Sequence, residues 1–114
     1  MLDLNVILIG TNGVVYSGPA TSVGAPGKKG NFGILADHAP MISELEAGLV
    51  RITNEFQELY FLIDGGFCEV CDNEVAILVA KVREVSHPDE ARELLRSSDP
   101  WKASSSLEES TKAS

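Results

Sequence analysis

The sequence predicts a mainly β domain, a sandwich or barrel of short antiparallel strands, followed by one short helix and a disordered tail. Apolar and β-branched runs recur at regular spacing over the first 85 positions. Tight-turn signals at Asn12-Gly13, Asp64-Gly65-Gly66 and Asp72-Asn73-Glu74 separate those runs. After Val85 the composition turns helical, and from Trp101 it is mostly Ser, Glu, Lys and Thr. The expected units are therefore residues 1–86 for the β domain, 87–98 for the helix and 99–114 for a flexible tail.

A chain of 114 residues builds one modest core. Nine Lys and Arg against seventeen Asp and Glu give a net charge of −8, which argues against nucleic acid or an anionic membrane and favours a partner with basic patches. Met1 to Val6 lack the basic stretch and long apolar core of a secretory signal, so the mature chain is expected to start at Met1. The longest apolar run, Val75 to Ala80, is far short of the roughly 20 residues that span a bilayer, so membrane association is expected only through another protein. Cys68 and Cys71 have C-x-x-C spacing, yet a closed zinc site needs further ligands and His38 and His87 lie in unrelated contexts. On a strand, residues three apart face opposite sides, so two reduced packing cysteines are expected.

Leu2 to Ile9 begin with alternation and end fully apolar, the pattern of a strand buried on both sides. Asn12-Gly13 turns it into an antiparallel partner, Val14 to Gly18, and Pro19 starts a new segment. Gly24 to Gly30 superficially suggest a phosphate-binding loop, but Lys29 stands where Ser or Thr is needed, which leaves a solvated turn with two exposed lysines. Asp37 to Gly48 leave helix and strand both open: Asp37 is a potential cap and Gly48 a stop, while Met41 to Glu46 alternate in apolarity. Leu49 to Thr53, Leu59 to Ile63, Phe67 to Cys71 and Val75 to Val82 read as strands. Ser86 or His87 then caps a helix with Pro88, Asp89 and Glu90 in its first turn, Arg92 and Arg96 towards its end, and Ala91, Leu94 and Leu95 facing the sheet.

The most specific stretch is Gly30 to Met41, Gly-Asn-Phe-Gly-Ile-Leu-Ala-Asp-His-Ala-Pro-Met. Gly30 and Gly33 permit backbone angles that a Cβ forbids, Phe32, Ile34 and Leu35 form a buried step, and Pro40 extends Ala39. The run G-x-[LF]-G-I-x-x-x-H-A-P resembles the signature loop of the ε subunit of bacterial and chloroplast F-type ATP synthases, whose mitochondrial counterpart is called δ. Glu46 to Ile52 resemble that family's P-G-x-[VIL]-R-I strand entry, and Leu62 to Val70 its [VL]-x-G-G-x-x-E-V hairpin. Together these cover about residues 2 to 92 in the family's order.

The resemblance implies a flattened antiparallel β-sandwich of about ten strands, and it settles residues 37 to 48 as strand. It also implies a non-catalytic rotor subunit with the γ subunit and the membrane c-ring as partners. The location implied is the cytoplasmic face of the bacterial inner membrane or the stromal face of the thylakoid. The c-ring-facing residues carried over are Gly30, Asn31, Phe32 and Gly33 with Asp37, His38, Ala39, Pro40 and Met41; Asn31 replaces an acidic residue common there. His38 is expected to serve as a turn histidine bonded to backbone rather than as a proton relay. No catalytic residue, cofactor, nucleotide site or metal is expected: Asp89 and Arg92 match part of the family's ATP motif D-x-x-R, but Glu93 stands in place of Ala. The C-terminal segment has room for one short helix, and Pro100 with Ser104-Ser105-Ser106 disfavours a longer one, so inhibition of hydrolysis is expected to be weak or absent. A free-standing sandwich adaptor binding another protein is the alternative.

Overall fold

The computed structural model describes residues 3–96 and Trp101. Strand β1 (Leu4–Gly10) buries Leu4, Val6 and Leu8 on one face and leaves Ile7 and Ile9 half-covered on the other, so the expected burial on both sides is met on one side only. Gly13, with φ 121°, makes the tight turn into β2 (Gly13–Ala20), which pairs antiparallel with β1. Pro19 does not start a new segment: it sits inside β2 opposite Asn5, at the edge of the sheet, where a missing N–H disturbs no ladder.

Strands β3 (Ser22–Gly27) and β4 (Gly30–Leu35) form a hairpin. The expected solvated turn over 24–30 is thereby corrected. Ala25, Pro26 and Gly27 are buried strand residues, and only Lys28 and Lys29 make the exposed turn. No side chain fits at Gly27, where a Cβ would stand 2.8 Å from both Gly30 O and the Phe32 ring.

Strands β5 (Met41–Thr53) and β6 (Glu58–Cys71) are the frame of the molecule, paired antiparallel over their whole length. Residues 37 to 48 hold no helix, in agreement with the strand reading. The anticipated tight turn at Asp64-Gly65-Gly66 is absent; Gly65 and Gly66, at φ 127° and 147°, bend one continuous strand. Before that bend Phe61 and Ile63 face the main core, and after it Cys68 and Val70 do, so the inward parity of β6 switches at the glycines. In β5 the parity switches between Leu45 and Val50, on the rungs opposite.

Each long strand thus serves two layers. One holds β2, β1, β7 (Glu74–Val79), the second half of β6 and the first half of β5. The other holds β8 (Val82–Val85), the first half of β6, the second half of β5, β3 and β4. The mainly β sandwich is as expected, but among the described residues the segments are eight rather than about ten, because β5 and β6 are each counted twice in a layer description. The β1–β7 contact is parallel, an exception to the antiparallel rule. The anticipated strand over 75–82 also divides, at Ala80 and Lys81, where Asp64 Oδ1 accepts the Lys81 N–H at 3.2 Å.

The main core joins Val6 and Leu8 of β1 with Val23, Ile34, Val50, Ile52, Phe61 and Ile77, and the Tyr16 ring lies 6.5 Å from Phe61. Helix α1 (Pro88–Arg96) covers the outer side of the second layer, where Leu62, Val85 and Ala91 form a smaller cluster with Leu49, Tyr60, Leu94 and Trp101 against it. Asp89 N donates to His87 Nδ1 at 3.1 Å, and Ser86 donates to Glu90 Oε1 through both N and Oγ, which satisfies the helix start. Leu95, expected to face the sheet, is exposed. Residues 97–100 and 102–114, the bulk of the predicted tail, lie outside the described residues.

Candidate docking surface

The loop singled out in the sequence begins at the β3–β4 turn. Gly30 sits at φ 128°, in the region that favours glycine, with no atom near enough to limit a side chain. Gly33 is different: its backbone is ordinary strand, and the nearest atom to a Cβ there is Val23 O at 3.9 Å. The expectation that Gly33 needs glycine geometry is therefore corrected. The apolar step also divides, since strand alternation buries Ile34, half-buries Phe32 and leaves Leu35 64% exposed. Asn31 and Gly33 are exposed.

Beyond β4 the chain reverses at Asp37, a non-glycine residue in the left-handed region with φ 67°. His38 N donates to Leu35 O at 3.2 Å, and His38 Nδ1 lies 2.7 Å from Ala39 O, the backbone-bonded turn histidine that was expected. Ala39 and Pro40 are exposed and Met41 opens β5. The candidate residues do not form one patch. Gly30 and Asn31 lie at the β3–β4 turn, opposite Gly27 and Pro26, where Lys28 N donates to Glu44 O at 3.0 Å and Lys28 Nζ pairs with Glu44 Oε2 at 3.0 Å. Asp37 to Met41 lie at the other end of β4, beside the β6–β7 turn, where Asp37 N donates to Asn73 Oδ1 at 2.6 Å. A six-residue strand separates the two by roughly 20 Å.

Sequence reasoning missed an apolar row on the surface. Across the outer side of the first layer, Val14, Ile9, Leu78 and Phe67 are successive cross-strand partners on β2, β1, β7 and β6. Val14 is 58% exposed, Leu78 47% and Phe67 54%, and on the neighbouring rung Ile42 is 74% exposed beside Glu69. The inward neighbours Leu8, Ile77 and Cys68 are fully buried. Four strands thus carry apolar side chains on both faces, which a β domain with one solvated face does not need. The signal was present in the fully apolar runs Val6 to Ile9, read there as burial on both sides, and Val75 to Val79, read there as a strand too short to span a bilayer.

Nothing at this surface is arranged for bond chemistry. Among the described residues no polar side chain is buried, and no group of three or more His, Cys, Asp or Glu is placed to hold a metal. Burial pushes the Cys68 thiol up to about 11, while Cys71, on the opposite side of the strand, is exposed; both are free. The Glu58 carboxylate, accepting from the Tyr60 hydroxyl, raises that phenol. Asp89 and Arg92 pair with each other at 3.1 Å, both side chains more than two-thirds exposed. Such a surface is suited to adhesion.

The model of the family described as "ATP synthase, Delta/Epsilon chain, beta-sandwich domain" matches residues 3–85. The chain is 35% identical over 88 residues to the chloroplastic ATP synthase epsilon chain of Pylaiella littoralis, covering 77% of this chain and 67% of that one. It is 41% identical over 80 residues to the ATP synthase epsilon chain of Sulfurimonas denitrificans, covering 69% and 62% respectively. The chain therefore spans about two-thirds or less of the length of these relatives. Its fold is shared with a chain in the cryo-EM structure of the Euglena gracilis mitochondrial ATP synthase OSCP/F1/c-ring assembly, with TM-score 0.70 and 21% identity over 82% of this chain and 62% of that chain. A chain of the Tetrahymena thermophila mitochondrial ATP synthase central stalk and c-ring superposes with TM-score 0.64 and 17% identity, covering 95% and 90%.

Proposed function

This chain belongs to the ATP synthase delta/epsilon β-sandwich family, and from that membership we propose that it is an ε-type subunit of the central stalk of an F-type ATP synthase. In this reading it has no catalytic chemistry. It adheres to γ, meets the membrane c-ring, and helps transmit rotation between ion flow and ATP synthesis. It works on the cytoplasmic or stromal face of the membrane, held there by the complex.

The observation that carries this reading is the apolar outer face of the first layer. A row of Val14, Ile9, Leu78 and Phe67 with Ile42 beside it is the composition of an interface core, left open to solvent in the lone chain. We assign γ to this face and the c-ring to Gly30–Gly33 and Asp37–Met41. The mutual pairing of Asp89 and Arg92, with Glu93 following, supports an α1 that binds no ATP, and Pro100 with Ser104-Ser105-Ser106 in the sequence supports weak or absent inhibition of hydrolysis.

Co-purification with γ tests the assignment. The wild-type chain is expected to capture γ, and Phe67→Glu to weaken capture by about thirtyfold or more while its melting temperature stays within a few degrees. Failure of the wild-type chain to bind γ overturns the reading in favour of a free-standing adaptor. Equal capture by Phe67→Glu removes the outer face as the γ site.

A further inference from the structure

The loop from Asp37 to Met41 has few internal restraints. It leaves β4 at Leu35, reverses at Asp37 in the left-handed region, and reaches β5 at Met41 with His38 bonding to Leu35 and Ala39. What holds it against the body of the sandwich is a residue far away in sequence. Asn73 Oδ1 accepts the Asp37 N–H at 2.6 Å, and Asn73 Nδ2 reaches Asp37 Oδ1 at 3.5 Å. The backbone of Asn73 is itself anchored, because its carbonyl accepts the Asn5 N–H at 2.8 Å at the start of β1. Asn73 therefore links β1, the β6–β7 turn and the loop.

Turn chemistry alone does not account for this arrangement. Asp72 and Asn73, at φ 52° and 63°, make the two-residue turn between Cys71 and Glu74, and that geometry suits Asn or Gly equally. The turn does not require a carboxamide aimed at Asp37. The geometry points to Asn73 as the positioning residue of the 37–41 loop: its side chain fixes where that loop stands relative to the sandwich, and so sets the fit of the loop to the c-ring. This rests on the assignment of the loop to the ring given above.

Two variants separate positioning from folding. Asn73→Gly keeps the left-handed turn and deletes the carboxamide; Asn73→Asp keeps an acceptor oxygen for the Asp37 N–H but replaces the Nδ2 donor with a second oxygen facing Asp37 Oδ1. In the full chain, the Asp37 amide is expected to exchange with solvent about tenfold faster in Asn73→Gly and by a smaller factor in Asn73→Asp, with melting temperatures alike within a few degrees. In the assembled synthase in vesicles, Asn73→Gly is expected to lower ATP-driven ion pumping per ATP hydrolysed at least twofold while γ capture is unchanged, and Asn73→Asp to fall between the two. An unchanged Asp37 exchange rate in Asn73→Gly overturns the positioning role. So does wild-type pumping by Asn73→Gly despite faster exchange. If the wild-type chain itself fails to support coupled pumping in a synthase lacking this subunit, the stalk reading fails instead, and the amide-exchange result still decides whether Asn73 holds the loop.

Discussion

Gly66 lies so close to the backbone of Leu78 that a Cβ on it would stand 2.1 Å from Leu78 O. The contact joins β6 to β7 at the bend where β6 passes between layers, and φ 147° at Gly66 adds a second reason for glycine. Gly66→Ala is expected to cost about 3 kcal/mol or more, by combining a backbone clash with a disfavoured dihedral. Gly33→Val should be near neutral or slightly stabilising, about 0.5 kcal/mol, because Gly33 is exposed, in ordinary strand conformation and uncrowded. Urea unfolding of both variants checks the contrast; equal losses would contradict it.

The two cysteines are expected to differ in chemistry as they differ in burial. At pH 8 an alkylating reagent should label Cys71 in the native chain and reach Cys68 only on unfolding. The thiol of Cys68 is raised to about 11 by burial, against an unfolded value of about 8.5. Below the lower value it is neutral in both states. Between the two only the unfolded chain ionises, so stability falls as pH rises from about 8.5 to 11, by on the order of 3 kcal/mol in full. Cys68→Ala should be less stable at pH 7 yet lose less over that interval. Parallel stability curves for the two proteins would show that Cys68 does not cause the decline.

Truncation after Ser86 removes α1 and Trp101 and opens Leu62 and Val85, 0% and 3% exposed beneath them. The remaining chain retains both layers and the main core. It should melt cooperatively with a β-type spectrum, destabilised by about 2–4 kcal/mol from lost apolar burial. A molten product would show that the smaller cluster is needed for the main core to order.

Local pattern decided much of this fold. Alternation placed Leu4, Val6, Val50 and Ile52 inward, Asn12-Gly13 and Asp72-Asn73 made the hairpins they predict, and Pro88 with Glu90 started the helix, because each is settled by neighbours a few residues away. Membership of the family was also legible, in the three motifs and in their spacing. What the chain did not disclose depends on distant partners. Asp64-Gly65-Gly66 has the composition of a turn, but pairing with β5 along its whole length makes it a bend in one strand. Leu35 and Phe67 look like core residues until the pleat turns them outward, and Gly33 looks like a special position until no neighbour is found near it. The link from Asn73 to Asp37 spans 36 positions and the apolar row draws one residue from each of four strands, so neither exists until the layers assemble. Sequence periodicity reports which face a residue takes on its own strand; only tertiary pairing decides what that face meets.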